Sequence, residues 1–234
     1  MKLAVMQPYI FPYIGYFQLI NAVDKFVFYD DVNFIKKGWI NRNRILVNSS
    51  DFLFAVPLQK ISQNILIKDT QIKTSDYDVW KNKFLQTIEM NYKKAPHFVD
   101  VFKLITNILE SDDLSSSGLA VNSVKKISHY LDVQTEFIIS SQTYENINLG
   151  RQNRIIDICQ QEESNHYINA VGGQELYKKE DFIQQGIKLN FLQTLPIEYK
   201  QFKNEFIPWL SIIDVLMFNS TEEVRIMINQ YELI

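Results

Sequence analysis

The chain has 234 residues, 46% hydrophobic and 22% charged, with a formal net charge of −3. That composition supports a full core and excludes a disordered chain. The acidic balance argues against general binding to nucleic acid or membrane surfaces, which needs a basic excess.

Residues 3–6 form a short apolar run that stops before Pro8. Residues 15–23 carry Phe17, Leu19, Ile20 and Val23 at helical spacing, and residues 26–29 are a second apolar run ending in Asp30 and Asp31. Strand, loop, helix and strand in succession predict a βαβ unit with a parallel strand pair. Residues 52–58 read as a strand. Over residues 76–131 the pattern turns helical: Ser75 or Asp76 can cap a helix over 80–92, Pro96 opens one through Leu109, and residues 115–117 can cap a third through Leu131. Then follow a strand over 137–139, a helix over 151–161, a strand at 167–168, a helix over 179–185 and a strand over 187–192. Ser220 and Glu223 have capping-box spacing and open a last helix through Tyr231. This alternation predicts one α/β domain over residues 1–234, with a mainly parallel, Rossmann-like sheet and a helical insertion around 76–131.

Cys159 is the lone cysteine and lies in an apolar helical run, so a buried small hydrophobe is expected there and not a nucleophile. A single cysteine fits a reducing compartment. The N-terminus runs straight into a strand without a signal peptide's apolar core, and no apolar stretch reaches about 18 residues. A cytoplasmic protein without a membrane span is expected. His97, His129 and His166 lie in separate segments without ligand spacing, so no metal is inferred.

Four stretches carry candidate chemistry. The loop Gln7-Pro8-Tyr9-Ile10-Phe11-Pro12-Tyr13-Ile14-Gly15-Tyr16 is stiffened by two prolines. It follows the first strand, where open parallel sheets bind ligands. Gly15 at the helix start can let an anion approach backbone N–H groups. A rigid hydrophobic corner is the competing reading. The run from Asn33 to Arg44 holds Lys36, Lys37, Arg42 and Arg44 and no acid. If residues 40–45 are extended, Arg42 and Arg44 share one face and Asn41 and Asn43 the other. Paired guanidiniums suit phosphate or carboxylate, though a solvated basic hairpin fits the same pattern. Asp30 and Asp31 end a strand on opposite faces. One of them can serve as base, metal ligand or arginine partner, or both can simply shape a turn. Gly172 and Gly173 can expose amides to an anion, and a plain turn fits as well. In the apolar run over 210–218, Asp214 must be paired, protonated or facing a wet cavity; Ser211 lies three residues before it, on the same helical face or as an N-cap.

The opening run from Met6 to Phe17, Asp30-Asp31-Val32 with Trp39-Ile40-Asn41-Arg42-Asn43-Arg44, and Ser211-Ile212-Ile213-Asp214 with Phe218-Asn219 together resemble the WbqC-like family over essentially the whole chain. The resemblance implies bacterial O-antigen, lipopolysaccharide or other surface-polysaccharide biosynthesis, and a glycine transferase role. Tyr13-Ile14-Gly15-Tyr16 after a strand also resembles the histidine-any-glycine-histidine signature of nucleotidylyltransferases. Tyrosines stand here for both histidines, and the phosphate contacts of those histidines go with them.

Together with these residues, the resemblance implies an enzyme that transfers glycine or a similar small acyl group to the amine of a nucleotide-linked amino sugar. Such attack needs a base and donors for the developing oxyanion. Asp30, Asp31 or Asp214 is the expected base. Lys37, Arg42 and Arg44 would hold diphosphate or carboxylate. Gln7, Pro8, Tyr13, Gly15, Tyr16, Trp39, Asn41, Asn43, Gly172, Gly173 and Ser211 complete the expected substrate site. The activated donor is left open between glycyl-tRNA, a thioester, and glycine with ATP. A non-catalytic sugar-nucleotide or glycan-binding protein is the alternative.

Overall fold

The computed structural model describes residues 1–59, 62–203 and 205–234. The first apolar runs form β1 (Lys2–Met6), α1 (Ile14–Asn21) and β2 (Lys25–Phe28), with β1 and β2 parallel. A hairpin follows, β3 (Arg42–Val47) and β4 (Ser50–Ala55). Its turn residues Asn48 and Ser49 have φ of 48° and 64°, the left-handed pair that suits strand twist. The helical stretch is α2 (Thr74–Tyr92), α3 (Phe98–Leu109) and α4 (Ser116–Tyr130). Beyond it come β5 (Glu136–Ile138), α5 (Arg151–Gln161), β6 (His166–Ala170), α6 (Lys179–Gln184) and β7 (Lys188–Thr194). The chain closes with α7 (Ile212–Phe218), α8 (Thr221–Met227) and β8 (Tyr231–Leu233).

The main sheet runs β5-β2-β1-β6-β7-β8, parallel throughout except for β8 at one edge. Because strand side chains alternate, each strand serves two cores. Ala4, Phe26, Phe28, Ile168 and Leu192 face α1, α7 and the helices of the insertion. Leu3, Val5, Val27, Tyr167, Leu189 and Phe191 face α5 and α6, where Ile155, Ile158, Cys159 and Phe182 are packed. This is the mainly parallel α/β sheet expected from the alternating pattern. No described helix is long and apolar enough to cross a membrane.

Several boundaries differ from expectation: the strand expected over 52–58 is β4, Ser50–Ala55, β6 and β7 extend past the expected 167–168 and 187–192, and three helix boundaries shift. Helix α2 starts at Thr74 with Lys73 in the cap position and no side-chain cap, while the Ser75 hydroxyl bonds Asp76 at 2.9 Å. Helix α3 starts at Phe98, two residues after Pro96. The last helix ends at Met227, and Tyr231–Leu233 instead pairs antiparallel with β7. The buried amide of Gln18 explains the stop: its Nε2 donates to the carbonyls of Met227 and Gln230 at 3.0 and 2.9 Å. The capping box itself is present, with both Ser220 and Glu223 bonds made.

From β1 the chain passes through α1 to β2 on one side, whereas β6 lies on the other side of β1. The strand order therefore reverses between β1 and β6. A crevice outside the carboxyl ends of these strands is the default ligand site of such sheets.

Candidate functional site

A cleft of about 300 Å³ opens at that reversal. Gln7, Pro8, Tyr13, Gly15, Tyr16 and Trp39 line it, and Ala170 closes it from the end of β6. These are the residues expected from the stiff loop, joined by Trp39 from the basic stretch. Tyr9, whose role the sequence reading did not single out, forms another wall. Its ring lies 6.1 Å from Tyr16 and 6.3 Å from Trp39. Burial raises the Tyr9 phenol above its usual range, so it presents a proton donor at neutral pH.

The loop is fixed from every side. Phe11 has φ of 42°, a costly conformation for a bulky residue. Its N–H donates to the Ser123 hydroxyl at 3.2 Å, and its carbonyl accepts from Asn43 Nδ2 at 2.6 Å and Ser211 Oγ at 2.7 Å. Ile10 N–H bonds the Ile40 carbonyl at 3.0 Å, and Ile212 N–H bonds that of Pro12 at 2.8 Å. The Tyr16 hydroxyl donates to the Gln7 carbonyl at 2.8 Å. Asn43 and Ser211, expected to touch substrate, are buried and spend their donors on Phe11. Replacing either with alanine is expected to destabilise the fold by about 1–2 kcal/mol, read from urea unfolding. A change under about 0.3 kcal/mol in both would deny them this anchoring role.

Gly15 has a steric reason to be glycine. A Cβ there would sit 2.3 Å from the Tyr13 ring and 2.8 Å from the Thr194 hydroxyl. Its absence lets the Tyr13 ring lie against the start of α1, which carries no side-chain cap.

The basic stretch reaches the rim of the same cleft. On β3, Asn43 and Ile45 point inward, leaving Arg42 and Arg44 on the outer face. The guanidiniums of Arg42 and Arg44 lie 5.3 and 5.5 Å from the centre of the Trp39 ring. Arg42 also bonds the carbonyl of Gly38 at 2.8 Å and that of Lys37, and so ties down the loop before the strand. Arg44 pairs at 3.3 Å with exposed Asp51, a contact that solvent weakens. Lys37 is exposed and has φ of 62°. Asn41 ties the hairpin base, its Nδ2 bonding the Val56 carbonyl at 2.9 Å.

The three candidate carboxylates are buried and none lines this cleft. Asp30 faces α4 and the end of β5, accepting from Ser117 at 3.1 Å and Ser140 at 2.6 Å. Burial raises its carboxyl above the usual range, opposed by the two serine hydroxyls. Asp31 faces the opposite side of the sheet, as adjacent strand-end residues should. It forms a buried ion pair with Arg154 and accepts from the Ser141 hydroxyl. The Arg154 guanidinium also bonds Asn146 Oδ1 at 2.7 Å and sits 4.7 Å from the Tyr29 ring centre. Asp214 is fully enclosed. It accepts from Tyr92 at 2.7 Å, Tyr199 at 2.6 Å and Gln201 at 2.7 Å, and no cation pairs with it among the described residues. Burial is again the first cause of its raised carboxyl.

Gly172 and Gly173 lie in a 3-10 turn, Val171–Leu176, just beyond β6. A Cβ on Gly173 would meet the Asn169 amide at 2.7 Å, whereas Gly172 faces open space. Cys159 is buried, and burial pushes its thiol up to about 12, which leaves it protonated and unreactive.

A family model for the WbqC-like protein family matches residues 7–226. A protein of Mycobacterium tuberculosis described as uncharacterized protein Rv1507c is 31% identical over 221 residues, 93% of each chain. No solved structure matches. The family match spans the cleft loop, the basic hairpin and the Asp214 helix alike, and the chain belongs to the WbqC-like protein family.

Proposed function

We propose that the cleft between β1 and β6 binds an anionic, ring-bearing small molecule, and that a nucleotide-linked amino sugar is the ligand class it fits. In this reading the chain transfers glycine or a similar small acyl group from an activated donor to the sugar amine, in the synthesis of a bacterial surface polysaccharide such as O-antigen. The observation that carries it is Trp39, a ring that lines the cleft and lies beside both Arg42 and Arg44. A flat aromatic wall suits a base or sugar ring, and forked guanidiniums suit a diphosphate. The protonated Tyr9 phenol and the uncapped first turn of α1 add donors at the same place.

In the transfer, the neutral amine attacks the acyl carbonyl, the carbon–donor bond breaks, and the amine proton passes to a base. Asp30, Asp31 and Asp214 are held by other side chains and do not reach the cleft, so the proton is best taken by an exposed carboxylate. Titration calorimetry with UDP tests the binding half. Arg42→Ala together with Arg44→Ala is expected to weaken binding by about tenfold or more. Equal affinity in the variant would remove the diphosphate from this rim. Single-turnover assays with UDP- or dTDP-amino sugars and labelled glycyl donors, glycyl-tRNA among them, test the transfer. Binding without product under every donor would leave a sugar-nucleotide-binding protein of the same pathway.

A further inference from the structure

We infer a second ligand site, a cleft of about 590 Å³ beyond the carboxyl end of β7, which takes a primary ammonium carried on a ring. Its walls include Tyr13, Tyr199, Phe206 and Trp209, and Glu198 and Glu205 are the charged groups among its lining residues. Among the described residues no lysine or arginine lines it, and neither glutamate has an ion-pair partner. Aromatic faces attract a cation through their quadrupoles, and two carboxylates add direct charge complementarity. An ammonium is the group that satisfies both.

The cleft keeps its key ring in place at a cost. Trp209 has φ of 63° and is 67% exposed, a poor setting for a large apolar side chain that touches nothing of use. Its ring packs edge-on against Tyr13 at 6.0 Å. Tyr13 lines both clefts, so the two sites share a wall. The opposite charges of the two sites divide the work: the cationic rim at Arg42 and Arg44 for an anion, the acidic cleft for an amine. The assignment of this amine as the acyl acceptor rests on the reading above; the binding of an ammonium sugar does not. With the amine here, Glu198 or Glu205 is the exposed carboxylate placed to take its proton.

The chain's three tryptophans separate the sites in one experiment. Trp39 lines the first cleft, Trp209 the second, and Trp80 is stacked between Tyr77 and Phe84 as an internal reference. Indole N–H resonances, assigned by single Trp→Phe variants, are followed while D-glucosamine or neutral N-acetylglucosamine is added near neutral pH. The Trp209 signal is expected to move with glucosamine, at a midpoint at least about fivefold below that for N-acetylglucosamine. Glu198→Gln with Glu205→Gln is expected to erase that preference. An unshifted Trp80 resonance checks that the double variant is folded, and a separate UDP titration of the wild type, read at Trp39, reports the first cleft independently. Equal midpoints for the charged and neutral sugars, or a glucosamine response at Trp39 and none at Trp209, would overturn the second site. Loss of the UDP response alone would count against the first cleft and leave this inference standing.

Discussion

Arg154→Ala is expected to cost about 3–5 kcal/mol of folding stability, because it strands the Asp31 carboxylate in the interior. Both partners of this pair are almost fully buried, and the pair joins the end of β2 to the start of α5. With the guanidinium gone, Asp31 keeps the Ser141 hydroxyl as a side-chain donor and has no neutralising ion pair among the described residues. Asn146 also loses the group that its Oδ1 accepts from. Replacing Asp31 and Arg154 together with leucine and methionine is expected to recover much of the loss, since a buried pair is often no better than apolar residues of similar volume. Urea unfolding midpoints of the single and double variants decide this. A loss below about 1 kcal/mol in Arg154→Ala would show that the pair does not hold α5 to the sheet.

Asp214→Ala is expected to cost more than about 3 kcal/mol, since the hydroxyls of Tyr92 and Tyr199 and the amide of Gln201 all lose their acceptor in a buried site. The effect should spread, because the Tyr92 hydroxyl also accepts from Leu46 N–H on β3 at 2.6 Å. Asp214→Asn keeps one oxygen for Tyr199 and Gln201 and should cost less. Its pH dependence carries a defined sign. Burial raises the folded carboxyl above its unfolded value of roughly 3.9, so the folded state holds this proton more tightly. That stabilisation is complete below the unfolded value and is lost as pH rises through the folded one. The stability gap between wild type and Asp214→Asn should therefore narrow from acid toward neutral pH. A gap that widens over that range would mean the carboxylate is held in its charged form.

The opening βαβ unit was legible because its signals are local: apolar runs with Pro8 between strand and helix, and helical spacing in the Phe17–Leu19–Ile20 stretch. The cleft lies where that topology leads one to look, beyond the carboxyl ends of β1 and β6, but the packing of the stiff loop against Trp39 joins separate segments, and spacing alone does not give it. The jobs of individual polar residues were not legible, because their partners lie far along the chain. Asn43 bonds a carbonyl 32 residues away, Ser211 reaches the same carbonyl across 200 residues, and Arg154 pairs with Asp31 across 123. Nothing near Asp214 in sequence predicts Tyr92 as its donor, 122 residues away. Strand β8 escaped notice because three residues after a helix look like its last turn, and only pairing with β7 makes them extended. The second cleft is built mostly from irregular chain at residues 195–199 and 205–210, closed by Tyr13 and Ile14. Its signal was a mixture of prolines, aromatics and glutamates with no periodicity, which pattern reading discards.

The proposed function requires an anion to settle beside Trp39 at the rim of the cleft between β1 and β6. A crystal structure with bound UDP tests it most directly. A phosphate oxygen is expected within about 3 Å of the Arg44 guanidinium, with the uracil or ribose ring against Trp39 or Tyr9. Diphosphate seated instead in the lysine-lined cleft at Lys93, Lys94 and Lys203, with the rim of Arg42 and Arg44 empty, would contradict it.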